Sequence, residues 1–155
     1  LLISIKLSGL KAKKRSPCVG ICSTTYGDLV CRGCRRFAHE IVEWNGYTEA
    51  QKASILERLK QIKSSVLSQH LVVSNESKFE KFCKALGFEL VDINDQIYAV
   101  LSYLITKSES LESAGLEVIR EGDESSGVAE LMRFLESEMY LRAQAQYERN
   151  FKILV

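Results

Sequence analysis

Residues 18–34 read CVGICSTTYGDLVCRGC. The spacing is Cys18-x3-Cys22, eight intervening residues, then Cys31-x2-Cys34. Each close pair offers two thiolates from one tight turn, and the short loop between them lets the second turn fold back on the first. A tetrahedral metal needs that arrangement. Gly20 and Gly33 sit inside the two pairs, where amides turn toward sulfur and a positive φ is expected. The segment holds few apolar side chains: Val19, Ile21, Tyr26, Leu29 and Val30. Burial alone is too small to order it. Metal binding is therefore expected to contribute most of its folding free energy, on the order of ten kcal/mol for structural zinc sites. The expectation is a small loop-rich knuckle ligated by Cys18, Cys22, Cys31 and Cys34.

Thiolates suit Zn²⁺ or iron–sulfur clusters. The x2 and x3 intervals fall within zinc spacing and match neither common ferredoxin run. The ligand set favours zinc, with an iron–sulfur cluster as the alternative. Arg32, Arg35 and Arg36 crowd the second pair. Their charge offsets a four-thiolate zinc centre of formal charge −2 and favours the thiolate form. His39 follows the last pair, but four thiolates already complete a tetrahedron, so an outer or surface role is expected. The chain has five cysteines, and four are clustered. A disulfide framework would spread them through a small secreted domain, so reduced thiolates in a cytoplasm are expected.

The 155 residues carry a net charge of +1, which conceals an asymmetry. Residues 1–40 hold eight Lys or Arg against two acids, a net of +6, and residues 41–155 hold 13 against 18, a net of −5. A basic head points to an anionic partner, nucleic acid or acidic protein. The candidate contacts are Lys11, Lys13, Lys14 and Arg15, together with Arg32, Arg35 and Arg36. Tyr26, Phe37 and Trp44 are nearby aromatics able to stack on bases. For Phe37 and Trp44 a core position is the simpler expectation, because they share a helical face with Ile41. No apolar run reaches membrane-spanning length, so no membrane partner is expected. Leu1–Leu10, interrupted by Lys6, is too short and too weakly apolar for a secretory signal. The opening without Met reads as a trimmed or fragmentary start.

Beyond the knuckle the pattern is helical. Phe37, Ile41 and Trp44 recur at helical spacing from Arg35 onward, and Asn45-Gly46 breaks that helix. Thr48-x-x-Gln51 is a capping box opening a second helix to about Ser65, with Ile55, Leu59, Ile62 and Val66 on its stripe. Residues 67–78 are expected to be a boundary. Ser77-x-x-Glu80 is the expected start of a helix bearing Phe79, Phe82, Cys83 and Leu86, ended by Gly87. Asp92 caps a helix with Ile93, Ile97, Val100, Leu101 and Leu104. Leu111–Ile119 is expected to be helix or, toward its end, extended. The acidic stretch 121–127 reads as a solvated loop. A long helix spans Val128 to about Phe151, with Leu131, Leu135 and Met139 on one side and Tyr140, Tyr147 and Phe151 elsewhere. No run of strands is expected. The fold class is mainly α, a metal knuckle followed by a helical bundle, divided as a cysteine-rich module at 1–66 and a helical domain at 67–155. Cys83 reads as a buried core thiol. His70 with Cys83 makes only a weak nucleophile pair, and no phosphate-cradling loop, nucleophile elbow or HExxH occurs.

Three segments, Ser16-Pro-Cys-Val-Gly-Ile-Cys22, Cys31-Arg-Gly-Cys-Arg-Arg36 and Glu40-Ile-Val-Glu-Trp44, resemble the YdhL-like family of small bacterial proteins. That family is a domain of unknown function often labelled predicted iron–sulfur protein. The four cysteines fall on its cysteine pattern, and Glu40, Ile41 and Trp44 fall on its Glu-Ile-x-x-Trp segment. The resemblance covers roughly residues 16–62 and implies a bacterial cytoplasmic protein without supplying an activity. The functional expectation is a non-enzymatic, zinc-binding module with a basic surface. Its alternatives are an iron–sulfur electron-transfer or redox-sensing protein, and a structural adaptor that recruits a partner through its helical body.

Overall fold

In the computed structural model, residues 16–88, 92–119 and 127–151 are described. The fold is mainly α. Five helices are described: α1 (Ala38–Val42), α2 (Glu49–His70), α3 (Glu76–Leu86), α4 (Ile93–Lys107) and α5 (Val128–Phe151). Two short strands, β1 (Leu71–Val73) and β2 (Leu116–Val118), pair antiparallel. The chain divides into two compact units, Leu1–Glu57 and Arg58–Val155, and α2 runs across the division. Among the described residues no helix is long and apolar enough to cross a membrane.

The first unit is organised by hydrogen bonds around a tight hairpin. Val30 and Phe37 form an isolated antiparallel bridge. The Cys31 N–H donates to the Arg36 carbonyl at 2.9 Å, and the Ala38 N–H to the Leu29 carbonyl at 2.9 Å. These bonds hold residues 36–38 against 29–31, so the helix expected from Arg35 begins only at Ala38. Phe37 precedes it in extended conformation, and Trp44 opens a separate 3₁₀ turn over Trp44–Gly46. Both rings are nonetheless buried, whereas Ile41 is half-buried. The apolar period was a true sign of burial but not of one continuous helix, because the hairpin ladder claims the amides an extra turn would use. The Thr48–Gln51 capping box forms as expected. The Thr48 N–H donates to Gln51 Oε1 at 2.8 Å, and the Gln51 N–H to Thr48 Oγ1 at 3.2 Å.

In the second unit, α2 does not stop near Ser65. Val66 and Leu67 are buried, which favours carrying the helix to His70, and the chain then enters β1 directly. Residues 67–78 are thus a helix end, a strand and a cap. The register pairs Leu71 with Val118, Val72 with Glu117 and Val73 with Leu116. Buried Leu71 and Leu116 lie on the inward face, whereas Val72 and Glu117 are exposed, as a two-residue period requires. The start of α3 is set by Asn75 rather than Ser77: its side chain accepts from the Lys78 N–H at 3.0 Å. Gly87 in left-handed conformation ends α3, and Asp92 caps α4 through the Asn94 N–H at 3.0 Å. The weakly patterned stretch 111–119 contains both expected forms, a 3₁₀ turn over Leu111–Ala114 and then β2. The expected loop over 121–127 lies outside the described residues apart from Gly127.

The second core is built from Ile62, Val66, Leu67, Leu71, Phe79, Cys83, Ile97, Val100, Leu101, Leu104, Leu116, Leu131, Leu135, Met139 and Ala143, all buried. Polar ties fasten the helices at its rim. Lys63 Nζ lies 2.9 Å from Asp95 Oδ1, Arg142 Nη1 donates to Ser65 Oγ at 2.6 Å, and the Tyr98 hydroxyl donates to Glu136.

Candidate functional site

The cysteine-bearing turns pack on each other through Gly33. A Cβ added there would stand 2.6 Å from Val19 Cγ2 and 2.9 Å from the Ile21 carbonyl oxygen. Gly33 is therefore required by close approach, not by a positive φ. The expected positive φ is found at Gly20, +97°, and positive φ also occurs at Gly27, +99°, and at Arg35, +63°. The Arg35 N–H closes the second turn by donating to the Cys31 carbonyl at 2.9 Å. The first turn leads into the 3₁₀ segment Ser23–Tyr26, and the Ser23 hydroxyl accepts from the Arg32 N–H at 2.8 Å. The two cysteine-bearing turns are thus packed closely at Gly33 and joined by the Arg32 amide bond to the Ser23 hydroxyl.

The sulfur environments differ. Cys31 is 1% exposed. Burial acts to raise its thiol pKa, but the backbone N–H groups of Cys34, Ser23 and Gly33 and the Cys34 side chain oppose this and bring it down to about 7. Cys31 Sγ also lies 3.7 Å from the Ile21 carbonyl oxygen. Cys34 is buried, and burial pushes its thiol up despite the side chain, backbone and charge of Arg36. Arg36 Nε donates to Cys34 Sγ at 3.3 Å. Cys18 is exposed and accepts from the Gly20 N–H at 3.4 Å. Cys22 is half-buried, with Sγ 2.8 Å from Thr24 Oγ1. At Cys31 the hydrogen-bond donors together outweigh burial, whereas at Cys34 burial outweighs the Arg36 guanidinium. Among the described residues, no group of three or more His, Cys, Asp or Glu side chains is drawn together as a metal-holding set.

The basic residues divide. Arg32 remains outward, 67% exposed at its side chain, and its Nε pairs with Asp28 at 3.4 Å. Arg35 is half-buried, and its Nε is buried without a hydrogen-bond partner. Arg36 is only 3% exposed. Its place as a partner contact is corrected here: the hairpin turns its charge inward onto Cys34. Lys11, Lys13, Lys14 and Arg15 lie outside the described residues.

The aromatics divide in the same way. Phe37 and Trp44 are core, whereas Tyr26 is 89% exposed. The Arg36 guanidinium carbon sits 4.8 Å from the Trp44 ring centroid, and Lys52 Nζ sits 5.8 Å from it. His39 is exposed beside the Phe37 ring, with centroids 5.8 Å apart. In the second unit, buried His70 makes an edge contact with Phe134 at 4.9 Å and its Nδ1 has no partner, while burial raises the Cys83 thiol.

Glu40 has a structural role that sequence reasoning left aside. It is buried, and its Oε1 accepts from the Phe37 N–H at 2.8 Å, closing the start of α1. An acid three residues after a helix-entry position was the available signal. The inward turn of Arg36 had no comparable signal, since nothing in Cys-Arg-Arg-Phe distinguishes one arginine from the next.

A family model described as a protein of unknown function, DUF1289, matches residues 16–63. The matched segment holds all four clustered cysteines, the hairpin, α1 and the first part of α2. The match supports an uncharacterised domain family over under a third of the chain and does not carry the narrower YdhL-like name. No curated protein and no solved structure matches the chain. Residues 16–63 are thus similar to a family of unknown function, and residues 64–155 stand outside that similarity.

Proposed function

We propose that residues 16–63 act as a zinc-ordered, non-enzymatic binding module. Cys18, Cys22, Cys31 and Cys34 hold Zn²⁺, and an outward basic surface meets nucleic acid or an acidic protein. The observation that carries the reading is the set of donors directed at sulfur: amides at Cys31 and Cys18, and a guanidinium at Cys34. Zinc would act as a structural staple for a segment with little apolar burial. Partner contact would rest on Lys11, Lys13, Lys14, Arg15, Arg32 and Arg35, with Tyr26 as the exposed aromatic. The reading places the protein in a reducing bacterial cytoplasm, where free thiolates persist.

A second reading has one favourable observation. Hydrogen bonds to sulfur also set the potential of iron–sulfur centres, and Cys18 is exposed toward possible redox partners. One preparation decides between them. Protein purified without oxygen is expected to be colourless with one zinc per chain. Brown protein with stoichiometric iron and visible absorbance overturns the zinc reading. Binding to a mixed nucleic-acid pool is expected to weaken steeply with salt. Binding without salt dependence, or none, removes nucleic acid as the partner and leaves the acidic protein.

A further inference from the structure

The two-stranded sheet of the second unit leaves one edge of β2 open. The Ile119 N–H donates to the His70 carbonyl at 3.0 Å, and the Ser74 N–H donates to the Gly115 carbonyl at 2.9 Å. These bonds fix the phase of the antiparallel ladder. Bonded pairs alternate with unbonded ones, so the Val72–Glu117 pair is bonded and the Leu71–Val118 and Val73–Leu116 pairs are not. The N–H and C=O groups of Leu116 and Val118 therefore point away from β1. Among the described residues they meet no backbone partner. On that side lies a groove of about 720 Å³, bounded by β2, the C-terminal end of α4 and the N-terminal end of α5. Its lining residues all belong to the second unit. Its walls carry the half-buried apolar side chains of Ile105, Leu111, Val118 and Val128. Its rim is acidic, with Glu109, Glu112, Glu117 and Glu130 exposed. The cation among the lining residues, Arg133, donates through Nε to the Ala129 carbonyl of its own helix at 3.4 Å.

We propose that this groove takes an extended peptide of a partner protein, added as a strand along the free edge of β2, with basic and apolar residues alternating. An open strand edge is a template for another strand, and its main-chain groups supply the bonds. The side chains of the added strand alternate between the two faces of the sheet. The residue opposite Glu117 shares its exposed face, where a lysine or arginine meets the carboxylate. The residues opposite Leu116 and Val118 fall on the other face, against the apolar walls. The remaining rim carboxylates attract the same basic segment. A second copy of this chain fits less well. Antiparallel pairing of β2 with its own copy about Glu117 sets carboxylate against carboxylate. The inference is independent of the cysteine turns and of zinc.

The test uses the full chain and a fluorescent peptide of about seven residues, a common strand length, alternating valine and lysine. Affinity is read by anisotropy. The wild-type chain is expected to bind this peptide and not its counterpart with glutamate in place of lysine. Glu117→Lys is expected to weaken binding about tenfold, because it exchanges an attractive cross-strand pair for a repulsive one. Val118→Pro removes an N–H that the ladder to β1 does not use and is also expected to weaken binding about tenfold. If Val118→Pro does not fold, the valine–lysine peptide N-methylated at every amide decides on the wild-type chain, where it is expected not to bind. Unchanged affinity in Glu117→Lys overturns the inference. So does unchanged affinity in folded Val118→Pro or for the methylated peptide, since charge alone would then hold the ligand. Binding of neither peptide, or of both equally, overturns it as well. Concentration-dependent dimerisation that folded Val118→Pro abolishes overturns it by giving the edge to a second copy.

Discussion

At the scale of single residues, two glycines and one arginine show how little room the cysteine turns leave. Gly33 has backbone at 2.9 Å and a methyl at 2.6 Å from any added Cβ, whereas Gly46 has nothing within 4 Å. Gly33→Ala is therefore expected to destabilise the first unit by about 1–3 kcal/mol, the usual range for overpacking. Gly46→Ala should stay within about 0.5 kcal/mol. Urea unfolding followed by Trp44 fluorescence checks both, because Trp44 is the sole tryptophan and is buried in this unit. Equal stability of the two variants would contradict the close packing of the turns. Arg36 teaches the complementary lesson, since its neighbours in sequence share its chemistry but not its burial.

At the scale of elements, caps set where helices begin more firmly than apolar stripes do. The Thr48–Gln51 box and the Asp92 cap were readable because a short polar side chain just ahead of a helical period favours capping over a place inside the helix. Asn75 displaced Ser77 because either residue can cap, and the strand before it decides which one reaches an orphan amide. Asp92 also yields a pH prediction. The Asn94 amide, then Lys60, holds its carboxyl below the usual range. A depressed folded pKa contributes stability above the unfolded value, and that contribution is lost as pH falls through the folded value. Asp92→Ala is expected to cost about 1 kcal/mol at pH 7, the usual value of an N-cap. The cost should shrink as the carboxylate protonates below about pH 3.9. Helical circular dichroism through denaturation at pH 7 and at acid pH reads the difference. A cost independent of pH would show that the charged carboxylate plays no part.

At the scale of the whole molecule, α5 is a core element of the second unit. Leu135, Met139 and Ala143 are completely buried, with Leu131 and Met132 nearly so, while Leu141 and Phe151 remain exposed. Removing residues 128–155 would strip that core, so such a deletion cannot isolate a docking role for α5. Leu135→Ala is expected to destabilise the second unit by about 2–5 kcal/mol. Leu141→Ser should change stability by no more than about 0.5 kcal/mol. Thermal unfolding of the two variants, read by helical circular dichroism, checks the pair. A large loss in Leu141→Ser would mean that this side chain is covered in solution.

The sequence by itself determined the mainly helical class, the placement of most helices, and the cysteine turns. Those features depend on short-range chemistry: periodic apolar side chains, capping groups and ligand spacing within a few residues. Even the ambiguous stretch 111–119 carried both of its forms, a 3₁₀ turn and a strand. Tertiary structure alone decided the rest. It paired Leu71–Val73 with Leu116–Val118 across more than forty residues, a choice three-residue strands are too short to announce. It shortened α1 by committing residues 36–38 to the hairpin. It also turned Arg36 inward onto Cys34 and left Arg32 in solvent. Composition counts both arginines alike, and only the packed chain determines which charge lies beside sulfur and which faces water.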